Sequence, residues 1–177
     1  MNKKILDLGA GAKKNHNAIK VDINPKVNPD IVHNLNNFPY PFEDQHFDEI
    51  IMDNVIGELN NFFKVMDEIY RIAKVGAQIT VSVPYFRSSY GSIHPNIKSF
   101  FTVRTFEYFD PNSEIFKVYK YSDSTFQLVS LNFNEGFKSG LIKTFIRYVA
   151  NKNPSFYERI LSHLIPLEAI TFHLKKI

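Results

Sequence analysis

Residues 4–25 read KILDLGAGAKKNHNAIKVDINP. This stretch decides the predicted fold, because it contains two short apolar strands joined by a glycine turn. Gly9 and Gly11 lack Cβ atoms, so a ligand can approach the backbone closely there, although a tight turn alone would use the same residues. Asp22 ends the second strand, where a carboxylate can accept hydrogen bonds from both hydroxyls of a ribose. The stretch therefore predicts a nucleoside-containing ligand at the carboxyl ends of a parallel sheet.

Spacing within this stretch separates the nucleoside cofactors. A dinucleotide site uses a third glycine, a helix N-terminus for the pyrophosphate and an acid about 20 residues further on. Here the third glycine is missing in that register, and Asp22 follows Gly11 by 11 residues. S-adenosylmethionine carries no phosphate, and its sulfonium and ammonium groups favour nearby acids such as Asp7 and Asp53. The residues therefore favour S-adenosylmethionine over a dinucleotide.

Apolar runs bounded by Gly, Pro or Asn predict the strands of this sheet. They are expected at residues 4–8, 18–23, 30–35, 47–54, 78–85, 124–134 and 167–177. Apolar residues from Val55 to Ala73 recur at spacings of three and four, which predicts a helix that Gly76 ends in the left-handed conformation. Further helices are expected at 102–109, 140–150 and 155–165. Strands separated by crossovers predict an α/β parallel sheet, and three short crossovers predict that one face is thinly covered.

Length and composition predict one domain, with residues 1–85 as a cofactor-binding half and 86–177 as an acceptor-pocket insert, closing strands and basic helices. The absence of cysteine excludes disulfides and thiolate metal sites. His16, His33 and His46 have no metal-ligand spacing, so no metal is expected. No apolar run has the form of a signal peptide or a membrane span, and we expect a cytoplasmic location.

The run from Ile5 to about Asp110 resembles the class I S-adenosylmethionine-dependent methyltransferases, in particular a type 11-like group with a short first crossover. Several segments carry the likeness in order: LDLGAG, KVDINP, DIVHNLNNFPYPFEDQHFDEI, VMDEIYRIAKVGAQITVSVPYF and HPNIKSFFTVRTFEYFD. The resemblance implies a Rossmann-like sheet that is mostly parallel, with an antiparallel last strand and reduced helices in the first half. It also implies methyl transfer to a small-molecule or sugar-like acceptor.

The resemblance assigns the cofactor contacts residue by residue. Gly9 and Gly11 would meet the methionine part, and Asp7 would hold its amino end through water. The remaining positions would contact the ribose, the adenine and the sulfonium, in that order along the chain: Asp22 for the ribose; Ile23, Asn34 and Leu35 for the adenine; and Asp53 and Asn54 for the sulfonium.

Two departures from the family pattern affect the acceptor side. The family's His-x-x-Glu-His-like pattern after the fourth strand reads NVIGEL here, with Asn54, Gly57 and Glu58 in its place. A histidine of the acceptor segment is replaced by Ile97. The candidate general bases are therefore His94 and Glu58, each of which is also compatible with an ordinary surface position.

Aromatic residues after the fifth strand are candidates for the acceptor pocket, although part of this set is expected in the core. The candidate substrate-binding residues are Tyr85, Phe86, Phe100, Phe101 and Tyr108. A hydroxyl acceptor would need a general base, whereas a carboxylate or free amine would not.

Charge is uneven along the chain: residues 1–137 carry 14 basic and 16 acidic side chains, and residues 138–177 carry 7 basic and 2 acidic ones. A net charge of +3 does not indicate nucleic acid as a partner. The basic amphipathic helix predicted at 140–150 either covers the sheet or contacts a membrane surface or a partner, which would suit a lipid-linked or anionic acceptor.

Two other functions remain open from the sequence. One is a binding or scaffold homologue that keeps the S-adenosylmethionine pocket and has lost transfer, as the changes at Asn54, Gly57 and Ile97 suggest. The other, less favoured, is a nicotinamide-dependent reductase. The sequence does not indicate the oligomeric state.

Overall fold

The structure is a computed structural model that describes residues 3–12, 17–134 and 140–177. The strands of the described residues are β1 (Ile5–Leu8), β2 (Ala18–Asp22), β3 (Ile31–Val32), β4 (Phe47–Asp53), β5 (Ala73–Pro84), β6 (Phe126–Asn134) and β7 (Ala169–Lys176). The α-helices are α1 (Phe62–Ile72), α2 (Ser89–Ile93), α3 (Glu114–Tyr119), α4 (Leu141–Lys152) and α5 (Pro154–Arg159). Short 3-10 turns lie at Pro25–Val27, Ile56–Glu58, Thr105–Phe109 and Leu161–His163.

All seven strands form one sheet in the order β3-β2-β1-β4-β5-β7-β6. Strands β1 to β5 pair in parallel, and β7 runs antiparallel between β5 and β6. This confirms the predicted α/β sheet with an antiparallel last strand. The chain moves outward from β1 to β3 and then returns to β4 on the other side of β1. The loops after β1 and β4 therefore diverge, which is where open parallel sheets form ligand crevices.

The first half of the sheet has little helical cover, as predicted. Residues 9–17 join β1 to β2 as a turn in their described part, and only a 3-10 turn lies between β2 and β3. Ile19 and Val32 are accordingly exposed on these strands. The third strand is shorter than predicted, because its pairing with β2 ends at Val32 and residues 33–46 continue as a loop.

Arg71 and Tyr40 hold this loop against α1. Tyr40 is buried, its hydroxyl donates to the Leu35 carbonyl (3.0 Å) and its N–H donates to Glu68 (2.7 Å). The Arg71 guanidinium donates to the carbonyls of Tyr40 and Phe42 and to the Glu68 carboxylate. A planar guanidinium can make all of these bonds at once because its donors are fixed in a fork. These bonds hold residues 33–46, which contain no helix, against α1.

Helix α1 covers the sheet between β4 and β5 with its apolar face. Its buried residues Val65, Met66, Ile69 and Ile72 recur at helical spacing, and burial of each such side chain stabilises the fold by about 1.5–3 kcal/mol. Asn61 caps the helix by accepting a hydrogen bond from the Lys64 N–H (3.0 Å).

The prediction that Gly76 ends this helix is wrong. Helix α1 ends at Ile72, and Ala73 is already paired with Phe47 as the first residue of β5. The register between β4 and β5 then shifts, and Gly76 has a φ of +81° within the strand. A glycine at positive φ serves a β-bulge as well as it serves a helix end, so the local signal did not distinguish them.

The C-terminal elements follow the predictions with changed helix bounds. Helix α4 begins one residue later than the predicted 140–150 segment and continues to Lys152. Helix α5 ends at Arg159 rather than at residue 165, and residues 102–109 contain a 3-10 turn from Thr105. Helices α2 and α3 were not predicted. Within the described residues, no helix is long and apolar enough to cross a membrane.

Candidate functional site

A cleft of about 310 Å³ lies at the carboxyl ends of β1, β2 and β4. Residues from four successive segments line it: Gly9; Asp22 and Ile23; His33, Asn34, Leu35 and Asn36; and Asp53, Asn54, Val55, Glu58 and Leu59. The sheet topology brings these segments together although they are distant in sequence. The cleft therefore occupies the position expected for a ligand in this type of sheet.

Gly9 forms the floor of the turn after β1. Its N–H and that of Ala10 both donate to the Val21 carbonyl (2.8 and 3.1 Å), so the turn is closed onto β2. Gly9 has a φ of +71°, and a Cβ atom at this position would lie 2.5 Å from Cγ2 of Val55. A glycine is therefore required here both by the backbone conformation and by the close approach of Val55.

Asp22 ends β2, and both of its carboxylate oxygens accept backbone hydrogen bonds. The Gly11 N–H donates to Oδ2 and the Asn24 N–H donates to Oδ1, each at a distance of 2.8 Å. These bonds fix the orientation of the carboxylate, and each ionised oxygen retains a further acceptor position. The carboxylate can therefore accept from two more donors placed side by side, as a vicinal diol presents them. Beside it, the Ile23 side chain is 62% exposed and offers an apolar surface on the wall of the cleft.

The segment 33–36 forms the opposite wall. Asn34 Oδ1 accepts from the Asn36 N–H (3.0 Å), and Asn36 Oδ1 accepts from the Asn60 N–H (2.7 Å). Leu35 is buried at this wall. The wall is thereby hydrogen-bonded to the chain that leads into α1.

The charges that line the cleft are negative. Asp22, Asp53 and Glu58 contribute carboxylates, and no Lys or Arg lines it among the residues the structure describes. Asn54 has a φ of +57°, its N–H donates to the Ser82 carbonyl (2.8 Å) and its Nδ2 donates to Asp53 Oδ1 (2.8 Å). Such a cleft favours a cationic ligand and disfavours a pyrophosphate.

Seven of the nine predicted cofactor residues line this cleft. Two do not: Asp7 is buried at the end of β1, and Gly11 acts through its bond to the Asp22 carboxylate. His33, Asn36, Val55 and Leu59 line the cleft without having been predicted. His33 was visible in the sequence only as a scattered histidine, and the structure holds it through Nε2 at 3.1 Å from the Asn37 carbonyl.

The two candidate bases lie together. His94 Nδ1 is 3.6 Å from Glu58 Oε1, and both side chains are partly exposed. Of the two, Glu58 lines the cleft. The structure therefore brings two side chains of types that serve as general bases to the border of the cleft.

The two departures from the family pattern are neighbours in the structure. A Cβ atom on Gly57 would lie 3.4 Å from Cδ1 of Ile97 and 3.5 Å from Cε2 of Phe101. The Gly57 carbonyl also accepts from the N–H groups of Lys98 and Ser99 (2.8 and 3.1 Å). The small residue at 57 and the apolar residue at 97 thus let the segment 97–101 pack closely on the turn that carries Glu58.

A second cavity of about 530 Å³ lies beyond this turn and is lined mainly by aromatic rings. Its walls include the predicted residues Phe100, Phe101 and Tyr108, together with Phe62, Phe63 and Tyr121, which were not predicted. Ser99 and Phe101, which contact Gly57, line this cavity, whereas Glu58 lines the cleft. The two spaces are therefore neighbours on either side of one short turn.

The structure places Tyr85 and Phe86 elsewhere. Tyr85 is fully buried, its hydroxyl donates to Glu158 Oε2 (3.2 Å), and burial raises the pKa of this phenol. Phe86 packs on Tyr85 with ring centres 4.8 Å apart, and the Arg87 guanidinium lies over the Phe86 ring, 4.7 Å from its centre. Neither lines the cleft or the aromatic cavity, because the carboxyl end of β5 is covered by α5 and by the chain leading to β7, which contributes the Glu168 carbonyl to the Tyr85 N–H. Among the described residues, no group of three His, Cys, Asp or Glu side chains is placed to hold a metal ion.

Comparison with known proteins places the fold. No protein-family model matches this chain, and no curated protein sequence matches it either. A solved S-adenosylmethionine-dependent methyltransferase from Archaeoglobus fulgidus is 18% identical, with 98% of this chain and 86% of that chain covered and a TM-score of 0.59. One from Mesorhizobium loti is 11% identical, with 99% and 91% covered and a TM-score of 0.60. The [4+2]-cyclase SpnF is 12% identical, with 99% and 75% covered and a TM-score of 0.55. The chain therefore has the fold of the class I S-adenosylmethionine-dependent methyltransferases.

Proposed function

We propose that this chain binds S-adenosylmethionine in the cleft and catalyses transfer of its methyl group to a small-molecule or sugar-like acceptor. The observation that carries the proposal is the combination of an oriented carboxylate at the end of β2 with an otherwise acidic lining. In this proposal, residues 1–85 hold the cofactor and residues 86–177 supply the acceptor side.

The residues of the cleft fit the parts of this cofactor. The Asp22 carboxylate would accept from the two ribose hydroxyls with the positions that its backbone donors leave open. Ile23, together with Asn34 and Leu35 on the facing wall, would contact the adenine. The exposed apolar surface of Ile23 suits a flat aromatic ring.

The cationic end of the cofactor would lie between β1 and β4. Gly9 at the end of β1 and Asp53 and Asn54 at the end of β4 line the cleft there. Asp7 does not line the cleft, so its influence on the ammonium group would run through an intervening water molecule. When bound, the cofactor supplies an electrophilic methyl group on a sulfonium.

Glu58 and His94 are the residues that we propose to move a proton. An acceptor hydroxyl must lose its proton during transfer, and the His94–Glu58 pair lies at the border of the cleft. Positioned acid–base groups typically contribute about 10²- to 10⁴-fold to a rate. An acceptor that reacts through a carboxylate or free amine would not depend on this pair.

The aromatic cavity beyond Gly57 is the proposed acceptor site. Its more exposed rings, among them Phe100 and Tyr108, can pack against the faces of a sugar or of another flat, partly apolar group, whereas Phe101 is 1% exposed and lies behind this surface. A lipid-linked sugar could pack against the same aromatic side chains. Positioning of the acceptor beside the cleft would supply most of the rate enhancement, because oriented reactants avoid a large entropy cost.

A transfer assay tests the proposal. The protein is incubated with S-adenosylmethionine labelled in the methyl group and with a panel of sugars, nucleotide sugars and small hydroxylated acceptors, and labelled product is counted. Glu58→Gln is expected to lower kcat by about 100-fold for a hydroxyl acceptor and to weaken cofactor binding much less, because Asp22 and Asp53 keep the cleft acidic. If none of the acceptors becomes labelled although the protein binds the cofactor, the enzymatic part of the proposal is contradicted.

A non-catalytic binding or scaffold role is the second candidate. The substitutions at Gly57 and Ile97 favour it, since they alter the turn between cleft and cavity. The similarity to SpnF, named as a cyclase, agrees with a fold that serves more than methyl transfer. Binding of the cofactor without turnover on the whole panel would support this role. A nicotinamide-dependent reductase is less supported, because the acidic cleft would repel a pyrophosphate.

A further inference from the structure

Helix α4 exposes an apolar stripe. Ile146 and Ala150 are buried toward the sheet, whereas Leu141, Phe145 and Tyr148 are 91%, 65% and 62% exposed. These three residues are spaced four and three apart, so they lie along one face of the helix. Ile142, beside the stripe, is 70% exposed. We call Leu141, Ile142, Phe145 and Tyr148 the α4 stripe.

We propose that the α4 stripe binds to an anionic membrane surface. Scattered single apolar residues are normal on a protein surface, but a contiguous row of large ones indicates an interaction site. Aromatic and aliphatic side chains on one face with basic residues beside them are typical of helices that lie in the plane of a lipid headgroup layer. This inference is independent of the proposed methyl transfer.

The charges next to the stripe complement anionic lipid. Helix α4 contains Lys143, Arg147 and Lys152 and no acidic residue. Arg147 and Lys152 line a surface groove of about 410 Å³ together with Tyr148, which belongs to the stripe. A lipid phosphate held in this groove would place the acyl chains next to the apolar row.

The two acidic residues of the C-terminal region do not oppose this contact. Glu158 accepts from the Tyr85 hydroxyl and from the Val103 N–H (3.2 and 2.9 Å), so its carboxylate is directed into the protein. Glu168 lies 3.6 Å from Lys143 and is paired there. Neither carboxylate therefore adds an uncompensated negative charge beside the stripe, and the charged side chains of α4 itself are all basic.

The same charges argue against a second copy of this chain as the occupant. A two-fold dimer through the stripe would bring two copies of the groove at Arg147 and Lys152 to one interface. Like charges brought together in this way oppose association. A negatively charged lipid surface is the occupant that satisfies both the apolar row and its basic border.

Sedimentation with vesicles tests the proposal. The full chain is mixed with vesicles of phosphatidylcholine alone or with phosphatidylserine added, and the bound fraction is measured. The wild type is expected to bind the anionic vesicles, to bind the neutral ones much more weakly, and to be released by high salt. Phe145→Glu is expected to weaken binding at least tenfold, and Arg147→Gln about fivefold.

Val118→Glu is the matched control, because Val118 is 72% exposed on α3 and lies outside the α4 stripe. It should bind vesicles as the wild type does. All variants should retain the thermal unfolding profile of the wild type, which separates lost binding from lost folding. Wild-type protein that stays in the supernatant with anionic vesicles would overturn the proposal. So would a wild-type dimer, seen by light scattering, that Phe145→Glu converts to monomer.

Discussion

Replacement of Asp22 by alanine removes the group on which the proposed cofactor site depends. The carboxylate accepts from the N–H groups of Gly11 and Asn24, each at 2.8 Å, and would accept from both ribose hydroxyls. The substitution therefore has two separate effects. One is on the stability of the turn, and the other is on cofactor affinity.

The affinity effect follows from the two hydroxyl contacts. A hydrogen bond to a charged group contributes about 1.5–3 kcal/mol when its partner is otherwise unsatisfied. The cleft is open to water, so we take the lower value for each hydroxyl and expect a loss of about 3 kcal/mol, or roughly 150-fold in Kd. The stability effect should be near 1 kcal/mol, because water can replace the carboxylate at the two backbone donors.

Isothermal titration calorimetry with S-adenosylhomocysteine measures the affinity, and thermal unfolding measures the stability. Asp30→Ala is the control: its Oδ2 accepts from the Lys20 N–H of β2, also at 2.8 Å, but it does not line the cleft. Asp30→Ala should lower Tm somewhat less than Asp22→Ala, because it removes one backbone hydrogen bond rather than two, and only Asp22→Ala should weaken binding. A change of less than about threefold in the Kd of folded Asp22→Ala protein would refute the reasoning.

Three further substitutions test the structure around the cleft. Gly9→Ala should lower the free energy of unfolding, measured with denaturant, by about 3 kcal/mol. Adding Val55→Ala to this variant should restore only part of the lost stability, because Cβ of residue 55 would still lie 2.6 Å from the new Cβ at position 9. Full restoration would contradict the geometry. Arg71→Lys should lower stability by about 2 kcal/mol in thermal unfolding, because an ammonium cannot replace the fork to Glu68 and the Tyr40 carbonyl; an unchanged Tm would show that other contacts hold the loop. Burial alone would raise the pKa of Glu68, but hydrogen bonds from Arg71 and the Tyr40 N–H hold it below its usual range. The stability that wild type has over Glu68→Gln should therefore be complete above about pH 4.3 and disappear as the pH falls through the lowered pKa; a pH-independent difference in Tm would exclude this role.

The local signals of the first two strands were sufficient to predict one side of the cleft. Gly9 and Asp22 owe their positions to a turn and a strand end that lie within a few residues of each other, so the sequence pattern contains the relevant contacts. The apolar spacing predicts Val55 only as the start of a helical pattern. Its packing against Gly9 joins two segments that only the sheet topology brings together, and no local pattern contains that information.

The other wall of the cleft depends on contacts distant in sequence. A strand over residues 30–35 would turn alternate side chains to opposite faces. The observed strand ends at Val32, and residues 33–36 all line the cleft as a loop. Arg71 and Tyr40 fix the path of that loop from α1, so His33 and Asn36 could not be selected from their own neighbourhood.

The aromatic segment after β5 shows the same limit on the acceptor side. The predicted set contains Phe100 and Tyr108, which line the cavity with exposed surface, and equally Phe101 and Tyr85, which the structure buries. Tyr85 belongs to the core because Glu158 of α5 satisfies its hydroxyl, a partner that lies far along the chain. Aromatic residues of the core and of the cavity have similar neighbours in the sequence. The packing of α5 on Tyr85, which the sequence pattern does not contain, distinguishes Tyr85 from the cavity residues.

A crystal structure of the protein soaked with S-adenosylhomocysteine tests the central claim most directly. The account predicts density in the cleft, with the ribose hydroxyls on the two oxygens of Asp22, the adenine against Ile23 and the sulfur facing the turn that carries Glu58. Density for the ligand in the aromatic cavity, or a cleft that stays free of it at saturating concentration, would contradict the account.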